Sequence, residues 1–240
     1  MNILTIGNSF SQDATRYLHQ IAKSDGKLIN VTSLVIGGCS LYKHFQNIKG
    51  DQKAYGFEFN GVSTGFLLSI REALLSREWD VITIQQVSTL SPKYESFQPY
   101  LNICADYIRE YCPKARLCLH QVWSYEDGGD QLKYWTKYET SEEMFADTKA
   151  SYDKAFTDIN ADGLIPSGEL MLKLAKQGFK IHRDGFHASL GFARYALALL
   201  WYSYLSGSDV TNVSFNDFDE EVTPEQILAA KNAVNEILSK

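Results

Sequence analysis

"NILTIGNSFSQDATRYLHQIAKSDG" (residues 2–26) sets how the chain begins to fold. An apolar run from Asn2 to Gly7 breaks at a Gly-Asn-Ser turn, and a stretch of helical period follows over 11–26, closed by Gly26. This is a strand feeding a helix. Asn8, Ser9 and Ser11 are all suited to cap a helix, and Gly7 suits a sharp turn. The joint also has a chemical reading. A serine at the tip of a strand-to-helix turn holds its hydroxyl in the open, where a neighbouring base can make it a nucleophile.

Outward from this joint, short apolar runs keep alternating with longer helical segments, the pattern of a parallel sheet wrapped by helices. "INVTSLVIGG" (29–38), "DVITIQ" (80–85), "ARLCLHQVW" (115–123) and "GLIPSG" (163–168) predict four more strands. Helices are predicted over 65–79, 100–113, 141–158 and 187–207, and a last one begins at the capping-box pattern Thr223-Pro224-Glu225-Gln226. The expected fold class is α/β, a three-layer α/β/α sandwich around a five-stranded, mainly parallel sheet with flavodoxin-like topology. At 240 residues the chain reads as one domain, 1–240, able to bury a full core without metals or disulfides. Two stretches, 42–64 and 124–140, read as irregular and long enough to be functional loops.

Composition narrows the function. Lys and Arg number 23 against 29 Asp and Glu, a net charge of −6 with no basic cluster, which argues against a nucleic-acid partner. No apolar stretch reaches the length of a membrane span, and no signal peptide precedes the first strand, which points to the cytoplasm; a chain relieved of its leader would look the same. Cys39, Cys104, Cys112 and Cys118 show neither CxxC pairing nor metal spacing with histidine, so they read as small buried hydrophobes. No metal and no organic cofactor is expected.

Chemistry enters with "HRDGFHASLGFARY" (182–195), where Asp184 and His187 stand in a D-x-x-H spacing. Serine hydrolysis needs a base for the hydroxyl proton and a carboxylate to hold the imidazole in the right tautomer. In an open parallel sheet ligands bind at the carboxyl ends of the strands, and Ser9, Gly38, Gln85 and Trp123 all follow predicted strand ends. His182 reads as a solvated neighbour. Arg183 reads either as an attractor of acidic substrate or as a solvated surface arginine.

Taken in order, "GNSFS" (7–11), "IGGCSL" (36–41), "TIQQVS" (83–88) and "RDGFHAS" (183–189) resemble the blocks of the SGNH, or GDSL-like, esterases and lipases. More closely the chain is similar to a branch typical of gut Bacteroidota proteins, in which a WDxxxxQxxS block replaces Gly-x-Asn-Asp; here it reads "WDVITIQQVS" (79–88). The resemblance spans nearly the whole length. It implies Ser9 as nucleophile, His187 as general base and acid, and Asp184 as the orienting carboxylate. It further implies an oxyanion hole from the backbone N–H groups of Ser9 and Gly38 and the side-chain amide of Gln85 or Gln86. Gln85 is favoured because it matches the glutamine of the branch, whereas Gln86 alternates to the other side of the strand. Asn8 stands where the motif usually has Asp, and is expected only to support the turn.

The implied reaction is a two-step acyl transfer on an ester. Trp123, Tyr125, Tyr134 and Trp135 suit stacking against a sugar ring, so the expected substrate is a carbohydrate ester, most simply an O-acetyl group. A lipase or thioesterase acting on acyl chains comes second. A catalytically silent binding module, a flavodoxin-like protein holding a phosphate in the "GNSFS" turn, and a Cys39 hydrolase complete the alternatives; the phosphate reading leaves Asp184 and His187 without a task.

Overall fold

The computed structural model describes residues 1–239. Chain order runs β1 (Asn2–Gly7), α1 (Ser9–Thr15), α2 (Leu18–Ser24), β2 (Asn30–Val35) and α3 (Leu41–Lys49), then a hairpin of β3 (Tyr55–Phe59) and β4 (Val62–Leu68). It continues through α4 (Ile70–Leu75), β5 (Val81–Ile84), α5 (Tyr100–Tyr111), β6 (Arg116–His120), α6 (Ser141–Asp158) and β7 (Gly163–Ile165). Three helices close it: α7 (Ser167–Lys176), α8 (Phe192–Ser206) and α9 (Pro224–Leu238).

The strands form one sheet in the order β4-β3-β2-β1-β5-β6-β7. β2, β1, β5, β6 and β7 are parallel, and β3 and β4 are antiparallel additions at one edge. β1 and β5 are covered on both faces, so residues 3–7 and 81–84 are all buried and, but for Thr5 and Thr83, apolar with no alternation. On one face α8 packs against α1, α2 and α9; on the other α3, α4 and α5 pack together. α8 is apolar all round because nearly every residue of it is buried.

The sheet has seven strands where the sequence reading expects five. The five parallel strands coincide with the predicted ones, trimmed at their ends, and the two extra strands lie across the stretch read as irregular. Their signal is local: Asn60 and Gly61, with φ of 52° and 81°, form the two-residue turn between Phe59 and Val62. Positive φ at both central positions is what a type I′ hairpin requires, and Asn-Gly is the dipeptide that supplies it. β4 therefore takes the first residues of the helix expected over 65–79, which shrinks to α4 behind a Ser69–Glu72 capping box.

Other boundaries moved for equally local reasons. The helix expected over 11–26 is two helices broken at Arg16 and Tyr17, where the buried Tyr17 hydroxyl donates to Leu190 O at 2.6 Å. The strand expected over 163–168 stops at Ile165, and Pro166 opens α7, which the sequence reading lacks. α8 begins at Phe192 and not at residue 187, because the preceding residues belong to the loop described next. α6 and the start of α9 fall where predicted, each behind a threonine capping box.

Candidate active site

β1 ends at Gly7 with no room for a side chain, since a Cβ there would lie 2.5 Å from Ser11 Oγ and 3.1 Å from Gln85 Oε1. The chain then turns sharply. Asn8 caps α1 by accepting from Phe10 N at 3.0 Å, and Ser9 becomes the first residue of the helix, half-buried with its hydroxyl turned outward. The first backbone N–H groups of a helix have no intrahelical acceptor; the cap takes that of Phe10, and that of Ser9 is left for an incoming oxygen.

Over this turn folds the loop between residues 181 and 189. It is pinned by Arg183 N to His187 O at 3.0 Å and Ser189 N to Ile181 O at 2.8 Å, and Gly185, with φ of 89°, makes the reversal between them. Asp184 Oδ1 accepts from the His187 backbone N–H at 2.9 Å, while Oδ2 accepts from His187 Nδ1 at 2.7 Å. His187 Nε2 lies 2.8 Å from Ser9 Oγ. Partial burial pushes the Asp184 carboxyl up, but the hydrogen bonds from the His187 ring and backbone outweigh it and leave the group below the ordinary carboxylate range. An ionised Asp184 assigns the neutral imidazole's proton to Nδ1, which leaves Nε2 as acceptor for the Ser9 O–H.

Ser9 and His187 face a cleft of about 470 Å³ at the carboxyl ends of the strands. Gly37, Gly38, Val87, Ser88 and Thr89 border it on one side, and Tyr125, Trp135 and Phe186 on the other. Gly38 has φ of 63°, a conformation that favours glycine, and it is exposed at this rim. No charged side chain lines the cleft among the described residues. A larger groove of about 730 Å³, between Trp79 and Arg116, lies at the opposite ends of the strands and holds neither a serine nor a histidine.

The three sequence-predicted residues Ser9, His187 and Asp184 thus meet. Others do not arrive where expected. Gln85 is buried and is absent from the cleft wall: its amide donates to Asn8 Oδ1 at 2.9 Å and its Oε1 is 2.7 Å from His120 Nδ1. The neighbouring strand's histidine holds the amide in place, so Gln85 braces the turn from behind. Gln86 is committed too, accepting from Leu41 N at 3.0 Å and donating to Ser96 O at 2.9 Å. The side-chain oxyanion donor expected from this block is therefore not delivered by either glutamine.

Trp123 is likewise a core residue and not a binding surface. It is fully buried, stacks on Phe10 at 4.1 Å and donates its indole N–H to Phe186 O at 2.8 Å. Through that bond it supports Phe186, whose ring lies 3.9 Å from the His187 ring. Tyr125 and Trp135 do line the cleft, Tyr125 buried with its hydroxyl 2.8 Å from Ser88 Oγ, and Trp135 53% exposed above Phe186. Cys39 offers no nucleophile: it is buried, and burial pushes its thiol up to about 12. His182 is buried against Ser124 O and not solvated, and Arg183 is turned away from the cleft onto Asp13.

Asn8 does more than support the turn. Its Nδ2 donates to Cys39 O at 3.2 Å, tying the serine turn to the glycine loop that carries Gly38. An aspartate, the residue usual in the related motif, has no donor for that carbonyl. Asn8→Asp is therefore expected to destabilise the fold by about 1–3 kcal/mol, the effect of opposing two buried acceptors, as thermal denaturation would show. A gain in stability would contradict this role.

A family profile described as "Domain of unknown function (DUF4886)" matches residues 2–237. The chain is similar to a DUF4886 family protein from Bacteroides uniformis, at 31% identity and a TM-score of 0.93, covering 100% of this chain and 95% of the other. It also shares its fold with a protein from Slackia heliotrinireducens assigned to the SGNH hydrolases, at 17% identity and a TM-score of 0.60, over 85% of this chain and 98% of that one. A lipase/acylhydrolase from Enterococcus faecalis aligns at 12% identity and a TM-score of 0.57, over 86% of this chain and 95% of its own. No curated protein matches. The chain belongs to the DUF4886 family and is built on the fold of the SGNH and GDSL-like hydrolases.

Proposed function

We propose that the chain is a serine ester hydrolase that removes a small acyl group, most simply acetyl, from a neutral carbohydrate ester. The observation that carries this reading is the unbroken hydrogen-bond chain from Ser9 Oγ through His187 to Asp184 at the floor of an accessible cleft. In the first step Ser9 Oγ bonds to the ester carbonyl carbon and its proton passes to His187 Nε2. That proton then goes to the leaving alkoxide as the carbon–oxygen bond breaks. Water, deprotonated by His187, attacks the acyl-serine and releases the acid. The backbone N–H groups of Ser9 and Gly38 are the donors for the tetrahedral oxyanion, a two-member hole now that Gln85 is engaged elsewhere.

The lining supports the substrate class. With no cation among the described residues that line the cleft, a substrate carrying phosphates or a carboxylate near the ester finds no counter-charge, which disfavours acyl-CoA thioesters. The half-exposed indole of Trp135 offers a flat face suited to a sugar ring. The apolar rings of Phe10 and Phe186 favour one rival, a short acyl chain laid along the cleft.

A panel of acetylated xylan, p-nitrophenyl esters of rising chain length and acetyl-CoA separates these readings. Fastest turnover on acetylated xylan is expected; preference for octanoyl over acetyl esters would favour the acyl-chain reading, and inertness toward all of them would remove the esterase. Trp135→Ala is expected to raise KM on acetylated xylan about 3- to 10-fold, the loss of one stacking contact. Its kcat/KM on methyl acetate, which cannot reach the indole, should hold.

A further inference from the structure

Asp13 lies one helical turn beyond Ser9 on α1, and its carboxylate is fully buried. A buried charge persists where it is paired and its lone pairs are filled. Asp13 Oδ1 accepts from Arg194 Nε at 2.8 Å and Arg183 Nη1 at 3.1 Å. Oδ2 accepts from Arg183 Nη1 at 2.9 Å and from the Ala188 backbone N–H at 3.1 Å. Arg183 donates as well to Ala188 O, and Arg194 reaches on to Asp219, which Arg16 also binds.

These contacts fall at a telling place. Arg183 immediately precedes Asp184, and Ala188 immediately follows His187, so the residues flanking the Asp-x-x-His unit on both sides are fastened to one carboxylate. That carboxylate stands on the helix that begins with Ser9. Asp184 itself, 43% exposed, cannot anchor the loop. Burying an ion pair is a poor way to gain stability compared with apolar packing of the same volume, whereas it fixes geometry well.

We propose that Asp13 is a positioning residue: it sets the register of the 183–188 loop on α1 so that His187 Nε2 stays within hydrogen-bond reach of Ser9 Oγ. The inference rests on the reading of Ser9 and His187 as nucleophile and base. A base displaced by about 1 Å loses on the order of 100-fold in rate. Asp13→Asn keeps the shape but turns one acceptor into an NH2 group that faces an arginine N–H or the Ala188 N–H, whichever way the amide is flipped.

In the full chain, Asp13→Asn is expected to lower kcat on p-nitrophenyl acetate by about 10- to 100-fold, at a temperature where circular dichroism shows it folded. KM should stay within about 2-fold, since the cleft wall is untouched. A crystal structure of the variant gives a readout independent of turnover: Ser9 Oγ and His187 Nε2 further apart than hydrogen-bond reach supports the role. Wild-type kcat from a folded variant, or an unchanged Ser9–His187 separation, overturns it. Should Asp13→Asn fail to fold, Arg183→Met decides, because Arg194 still neutralises Asp13 while the tether to Ala188 O is cut. The same split of kcat from KM is expected there, and its absence overturns the proposal. An inactive wild type would instead remove the esterase reading, and the crystallographic distance would still test the tether.

Discussion

Ser9→Ala is expected to take up no fluorophosphonate by intact mass and to hydrolyse p-nitrophenyl acetate on the order of 10³-fold more slowly than the wild type, or worse. The size follows from the arrangement. The Ser9 hydroxyl is the group that both faces the cleft and lies 2.8 Å from His187 Nε2. Cys39, beside the glycine loop, cannot stand in, since its thiol is buried and protonated at neutral pH. His187→Ala should cost a comparable factor, and the double variant little more than either single one, because groups that act as a unit do not add. The fold should survive, as Ser9 is half-buried and α1 is capped by Asn8 and not by Ser9 itself. An adduct that persists in Ser9→Ala would transfer the reaction to another residue and end the triad assignment.

Acid is expected to unfold the protein at a pH where most enzymes of this size are still stable. His44, His120 and His182 are buried, and burial pushes their imidazoles down to about 3, about 3 and about 4. Unfolded, each returns to about 6.5. Between those values the unfolded chain binds a proton that the folded one refuses, so stability rises with pH across the window and falls as pH drops below about 6.5. At pH 5 each histidine contributes about 2 kcal/mol of destabilisation relative to pH 7, roughly 6 kcal/mol for the three. That is comparable with the whole stability of a typical domain. Urea denaturation at pH 7 and pH 5 measures the difference directly, and a change below about 1 kcal/mol would contradict the buried, neutral state of these rings. The effect reaches the site, because His120 holds the Gln85 amide that braces Asn8.

The parts of this fold that were legible in the sequence are those set by neighbours in the chain. The strand of residues 2–7, the helix 141–158 and the Thr223 cap each carry their signal within one or two turns. The hairpin at Asn60-Gly61 was equally local, but β4 is exposed and both strands are interrupted by glycine or polar residues (Gly56, Glu58, Ser63, Thr64, Gly65), so they lack the apolar continuity of the parallel strands. The Ser9, Asp184 and His187 constellation was readable because its blocks recur in a known order. The expected place of Gln85 in the cleft fails for a physical reason: alternation along a strand tells which face a side chain takes, but not that His120 from the next strand will claim its amide. Trp123 shows the same limit, since whether an aromatic at a strand end meets solvent or Phe10 depends on another element. The Asp13 tether, spanning 170 and 175 positions to Arg183 and Ala188, leaves no trace in local pattern at all.

The 178 positions between Ser9 and His187 carry a temporal meaning. A ribosome adding about 5–20 residues per second releases the serine turn first and its imidazole roughly 10 to 35 seconds later. Throughout that interval the nascent polypeptide carries a hydroxyl with no partner to activate it. Hydrolysis by the proposed Ser9–His187 pair thus requires that translation has passed the loop before α8, and its onset on a stalled-ribosome series would date the closing of the molecule.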